Sequence, residues 1–187
     1  NYHPVDVVKE FTLWTRKELN FEIEARNALL LREKLKQNHK VIIPRIYTAF
    51  SSKRVMTMDL VNGVKINDFA SLEKYNIDRK SLVMTYFTSI LEQALQHGLF
   101  HADPHPANIF VQRNGKIIFL DYGIVGELNE IERRKVIRFI NSVNERNTQK
   151  SMEILISLAK DISHADIPAF KDEVRAILEE IYRSSVG

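Results

Sequence analysis

Between His101 and Gly126 lie three polar side chains that could do chemistry together: Asp103, Asn108 and Asp121. Four residues separate Asp103 from Asn108, and Asp121 follows a short apolar run. Asn114-Gly115 between two apolar stretches predicts a two-residue hairpin, with strands over 109–113 and 116–120. Closing that hairpin returns Asp121 to the side of Asn108. A D-x-x-x-x-N loop and an Asp-Tyr-Gly turn then share one edge of a small sheet. This is the arrangement of a phosphoryl-transfer site. One carboxylate, Asp103, takes the proton of an attacking hydroxyl or water, while Asn108 and Asp121 hold Mg2+ on the phosphates of a nucleotide. Oxygen donors of this kind suit Mg2+, which needs one or two protein groups beside phosphates and water.

Two other readings fit the same residues. The Asp and Asn side chains could simply satisfy turn backbone groups. A metal hydrolase could draw ligands from His101, Asp103, His105 and Asp121, although Pro104 and Pro106 suit a paired strand poorly. The prolines are expected to stiffen the loop. His101 is expected to support backbone rather than to react.

The elements that must carry this loop follow from hydrophobic periodicity. Apolar residues at helical spacing predict one long helix from His3 to about Gln37, with a solvated charged face in its middle. Short strands are expected over 41–43, 46–50 and 54–60, with Ser51-Ser52-Lys53 as a hairpin turn. A short helix follows, capped by Asn67 or Asp68 and reaching Lys74. The clearest helix spans 78–97 and ends at Gly98, a C-cap residue. Beyond Gly126 three helices are expected, over 129–143, 148–158 and 168–183, the first opened by an Asn129-x-x-Glu132 capping box. The fold class is α+β. We place a partial N-lobe at 1–61 and a C-lobe at 62–187, the latter holding the catalytic loop 101–108 and the metal-binding turn 121–123.

Composition narrows the field. The 187 residues suffice for a sizeable core, and the formal net charge of +3 is spread among mixed signs. With no dense basic run and no aromatic-basic interleaving, nucleic-acid binding is not expected. The chain has no cysteine, which excludes disulfides and thiolate metal sites and fits a reducing compartment. No apolar run reaches the roughly 18–20 residues that cross a bilayer. The chain begins at Asn1 and reads as an excised piece of something longer.

Four segments together resemble the UbiB family, the atypical kinase-like proteins linked to ubiquinone biosynthesis. They are KELNFEIEARNA, MTMDLVNGVKINDF, FHADPHPANIFV and FLDYGIVGEL, in that order. The resemblance implies a protein-kinase-like fold, ATP and Mg2+ as cofactors, and phosphotransferase or ATPase activity supporting quinone or isoprenoid-lipid metabolism. Asp103 would be the catalytic-loop aspartate, and Asn108 and Asp121 the metal ligands. Glu24 would pair with a phosphate-binding lysine, Glu18 would belong to the family's E-x-D element, and Asp59, Leu60 and Val61 would form the hinge beside adenine. Gly123 would support the turn. Lipid- or quinone-pathway proteins would be partners, and the location would be cytoplasmic or peripheral to an inner membrane.

Departures from the family pattern are Asn20 in place of the second E-x-D carboxylate, Ala107 for Gly and Tyr122 for Phe. The K-x-G-Q extension, nucleotide loop and lysine are not found in these 187 residues. The piece alone is therefore expected to bind nucleotide weakly. Two alternatives remain: an aminoglycoside- or choline-type kinase, against which Gly123 argues, and a non-catalytic pseudokinase module.

Overall fold

The computed structural model describes residues 20–103, 105–159 and 165–184. The chain separates into two compact units, one ending at Glu127 and the other starting at Leu128. Strands on either side of position 61, where the lobe boundary is expected, belong to one sheet.

In the first unit, helix α1 (Phe21–Lys34) starts at Asn20. Asn20 has extended backbone, and its side chain accepts from the Glu22 N–H at 3.1 Å. Of the helix expected from His3 to Gln37, the part from Asn20 on falls within the described residues and has its N-cap there; residues 1–19, Glu18 among them, lie outside the described residues. Asn and Asp cap helices equally well, so the departure at Asn20 keeps its capping function. Ala25, Ala28, Leu31 and Leu35 bury one face of α1.

The central sheet has the order β1-β5-β4-β2, from β1 (Val41–Ile42), β2 (Val64–Lys65), β4 (Ile109–Val111) and β5 (Ile117–Phe119). β4 and β5 form the expected antiparallel hairpin, pairing Ile109 with Phe119 and Val111 with Ile117. Its turn differs from the expected two-residue form. The Gly115 N–H donates to the Gln112 carbonyl and the Gln112 N–H to the Lys116 carbonyl, with Gly115 alone at φ +79. This is a three-residue connection ending in a left-handed glycine, because Asn114 does not adopt the positive φ of a primed turn. β1 runs parallel to β5, and all three β5 residues are buried, as a central strand requires.

The strands expected over 46–50 and 54–60 do not form. Thr48–Phe50 is a 3-10 turn, and only the isolated bridges Ile46↔Met58 and Ser52↔Val55 remain. Side-chain bonds compete with a ladder there: the Ser51 hydroxyl donates to the Tyr47 carbonyl and accepts from the Thr57 N–H.

Helices α2 (Phe69–Lys74) and α3 (Arg79–Leu91) carry Asp68 and Asp78 caps. Past Leu91 the helix widens into a π-helix over Glu92–His97 and stops at Gly98, φ +66. A second sheet pairs β3 (Leu99–His101) with β6 (Val125–Glu127) in antiparallel register. The second unit holds α4 (Glu130–Asn144), α5 (Thr148–Leu158) and α6 (Ile167–Ser184), with Met152, Val174 and Leu178 at its core. Its Asn129–Glu132 capping box is present. Among the described residues no helix is long and apolar enough to cross a membrane.

Candidate active site

The hairpin brings the expected trio together. β4 begins immediately after Asn108, and the Leu120 N–H donates to the Asn108 carbonyl at 2.8 Å, so Asp121 emerges beside Asn108. The Asn108 amide nitrogen stands 3.3 Å from Asp103 Oδ2 and 3.3 Å from Asp121 Oδ2. Its N–H groups are the electropositive partner that the two carboxylates share. Turning the amide about its last side-chain bond presents its oxygen to the same space, which gives Asn108 and Asp121 the oxygen donors a Mg2+ ion takes.

Asp121 has φ +61, a left-handed conformation that few residues other than glycine adopt. Such strain persists only where the surroundings hold it. One hold is local: the Gly123 N–H donates to Asp121 Oδ1 at 3.1 Å, at a position where a Cβ would crowd that same oxygen at 3.3 Å. Two more come from α1, nearly a hundred residues away in sequence. Glu24 Oε1 accepts from the Tyr122 N–H at 3.1 Å, and Asn27 Nδ2 donates to the Tyr122 carbonyl at 2.8 Å. Tyr122 itself is fully buried, and its hydroxyl donates to the Phe119 carbonyl. Both polar groups that flank the Tyr122 side chain are therefore clamped by one helix. Asn27 escaped sequence reasoning as a site residue. Its signal was its place three residues after Glu24, on the same helix face.

Glu24 is buried, and burial is the main force raising its carboxyl above the ordinary 4.5. The Tyr122 N–H opposes that rise, and the Asp121 charge adds to it. In this structure the Glu24 carboxylate faces the Tyr122 backbone.

His101 is 2% exposed. Its Nε2 bonds the Leu120 carbonyl at 3.1 Å, and its ring packs on Phe119 and Tyr122. Its main-chain N–H donates to Gln93 Oε1 at 3.0 Å, which ties the π-helix to the strand that leads into Asp103. His105 caps the 3-10 turn Pro106–Asn108 by accepting from the Ala107 N–H; Pro104 lies outside the described residues. Each histidine has a ring nitrogen bonded to backbone, and among the described residues no group of three or more His, Cys, Asp or Glu side chains is placed to hold a metal ion, so the hydrolase ligand set is not assembled there.

A cavity of about 770 Å³ is lined by Asp103 and Asp121 of the trio. Glu24, Asp103 and Asp121 line it on one side of its chemistry, and Val55, Met56, Met58 and Ile124 supply apolar surface. Asp59, Leu60 and Val61 are not brought into it. Asp59 instead accepts from the Tyr47 hydroxyl at 2.8 Å and the Arg45 N–H at 3.1 Å, bonds that lower its pKa, the hydroxyl foremost. Leu60 is 89% exposed. The hinge expected at Asp59, Leu60 and Val61 begins one residue after Met58, which lines the cavity.

Comparison with known proteins gives a consistent picture. Residues 1–155 match the model of the ABC1 atypical kinase-like domain. The chain is 33% identical over 157 residues to the protein ACTIVITY OF BC1 COMPLEX KINASE 8, chloroplastic, of Arabidopsis thaliana, covering 83% of this chain and 21% of that protein. It is 30% identical over 182 residues to a probable protein kinase UbiB of Histophilus somni, covering 95% of this chain and 34% of that protein. The chain thus spans about a fifth to a third of the length of these relatives. Among solved structures, that of the complex of Rv3197 with erythromycin from Mycobacterium tuberculosis superposes with a TM-score of 0.64 at 19% identity. The match covers 94% of this chain and 45% of that one and shows a shared fold. A mixed α+β fold, a matching family model over most of the chain and relatives of the UbiB type all agree: the chain belongs to the ABC1 atypical kinase-like family.

Proposed function

We propose that this chain carries the catalytic loop and metal-binding turn of an ATP- and Mg2+-dependent phosphotransferase or ATPase of the UbiB type. The observation that carries the reading is the Asn108 amide held between Asp103 and Asp121, two carboxylates that line a nucleotide-sized cavity, with Asp121 kept in left-handed backbone. Asn108 and Asp121 would hold Mg2+, which neutralises charge on the phosphates as the phosphoryl group moves. Asp103 accepts the proton of the attacking hydroxyl or water. The Met56 and Met58 side chains offer the apolar surface a purine needs. The Glu24–Asn27 clamp keeps the Asp121 carboxylate in place without reorganisation.

Service to quinone or isoprenoid-lipid metabolism, pathway proteins as partners and a place at a membrane surface enter this proposal from the UbiB resemblance. Family membership and Gly123 speak against the aminoglycoside- or choline-kinase alternative. The test is calorimetric titration with Mg2+-ATP. Binding that requires Mg2+ and is lost in Asp121→Asn is the expected result. Equal binding by Asp121→Asn, or none by the unaltered protein, refutes the metal-site assignment and leaves the non-catalytic module.

A further inference from the structure

We infer that Arg54 is a phosphate-binding residue of the cleft, a guanidinium that engages the outer phosphates of the nucleotide. This rests on the nucleotide reading above and adds to it a residue for which nothing in the loop-and-turn signature accounts. Among the described residues, those that line the cavity include three carboxylates, Glu24, Asp103 and Asp121, and a single cation, Arg54. The Arg54 side chain is exposed and has no ion-pair or hydrogen-bond partner among the described residues.

Its position is built rather than free. Arg54 sits on the turn closed by the Ser52↔Val55 bridge, where the Ser52 N–H donates to the Val55 carbonyl at 2.7 Å. The next residue back, Lys53, accepts from the Phe21 N–H at 3.1 Å, which fastens the turn to the first residue of α1, one turn before Glu24. The Thr57 N–H bonded to Ser51 Oγ at 3.0 Å anchors the other side.

Charge gives the reason for a cation there. A polyphosphate entering a cleft of three carboxylates meets repulsion that one divalent cation offsets only in part. A guanidinium keeps its charge at any physiological pH and offers a planar fork of donors matched to phosphate oxygens. A short ammonium-bearing residue on the same turn would lack that fork.

The test compares Mg2+-ATP, by calorimetry, with adenosine, by ligand-observed NMR. Arg54→Ala should bind Mg2+-ATP roughly 10- to 100-fold more weakly, the loss expected for a hydrogen bond to a charged group. Adenosine binding should be unchanged, since adenosine has no phosphate to lose. Arg54→Lys should recover part of the loss, and Lys53→Ala, with its carbonyl intact, should bind both ligands as the unaltered protein does. Unchanged ATP affinity in Arg54→Ala, or equal losses for ATP and adenosine, overturns the assignment while the nucleotide reading stands. Failure of the unaltered protein to bind either ligand overturns both.

Discussion

The clamp on Tyr122 makes a sharp prediction for Asn27→Ala. The substitution removes the 2.8 Å bond to the Tyr122 carbonyl and leaves that group in a fully buried residue without its partner. An orphaned buried acceptor costs about 1–3 kcal/mol. At ~2 kcal/mol, thermal unfolding should shift down by about 4–8 °C for a chain of this size. The consequence for the site is separate. Left-handed backbone at a non-glycine residue costs roughly 1–2 kcal/mol, and with only the Glu24 and Gly123 bonds left, Asp121 at φ +61 can relax to ordinary backbone. If relaxed and competent forms then differ by ~1 kcal/mol in favour of the relaxed one, apparent Mg2+-ATP affinity falls about 5- to 10-fold through the competent fraction alone. Asn27→Asp separates hydrogen bonding from packing. Protonated, its carboxyl can donate to the Tyr122 carbonyl; ionised, it sets a negative charge against that carbonyl and near Glu24. This variant should approach the unaltered protein at low pH and fall below Asn27→Ala at pH 8. Thermal unfolding and Mg2+-ATP titration across pH are the assays. An Asn27→Ala variant within 0.5 kcal/mol of the unaltered protein, roughly the spread of ordinary surface substitutions, together with an Asn27→Asp variant indifferent to pH, refutes the clamp.

Glu24→Gln tests the buried carboxyl. A group whose folded pKa lies above its unfolded value binds more protons when folded, so stability falls as pH rises from the ordinary 4.5 through the folded value. Glutamine keeps an oxygen for the Tyr122 N–H, so the variant should lose that slope and unfold at higher temperature than the unaltered protein above the window; parallel Tm–pH curves would contradict this. Gly126→Ala should destabilise by about 1–3 kcal/mol, since a Cβ there would lie 2.4 Å from the Phe100 ring. Gly115→Ala meets nothing within 4 Å and should cost only the ~1–2 kcal/mol of its left-handed backbone. Denaturant unfolding of the pair measures both, and a harmless Gly126→Ala would show that β3 and β6 do not approach as described.

The parts of the site that sequence alone determined are those written in adjacent residues. The Asp103/Asn108 spacing, the hairpin that returns Asp121 and the caps at Asp68, Asp78 and Asn129 all follow from local chemistry. So does the stop at Gly98, where a left-handed residue was needed. Each such signal acts over a few residues, where backbone geometry leaves few choices. Tertiary structure decided what depends on which distant surfaces meet. β1 joined β5 in parallel, and the region 46–60 traded a ladder for side-chain bonds, because periodicity cannot say which strand will lie alongside. The left-handed backbone of Asp121 could not be read from Asp-Tyr-Gly, since the two bonds that hold it come from Glu24 and Asn27 on a helix far back in the chain. Arg54 gained its place on the same cavity as three carboxylates in the same way, through a turn fastened to the start of that helix. Local sequence chose the reacting groups; long-range packing aimed them, because only burial of α1 against the hairpin brings residues nearly a hundred positions apart within hydrogen-bonding distance.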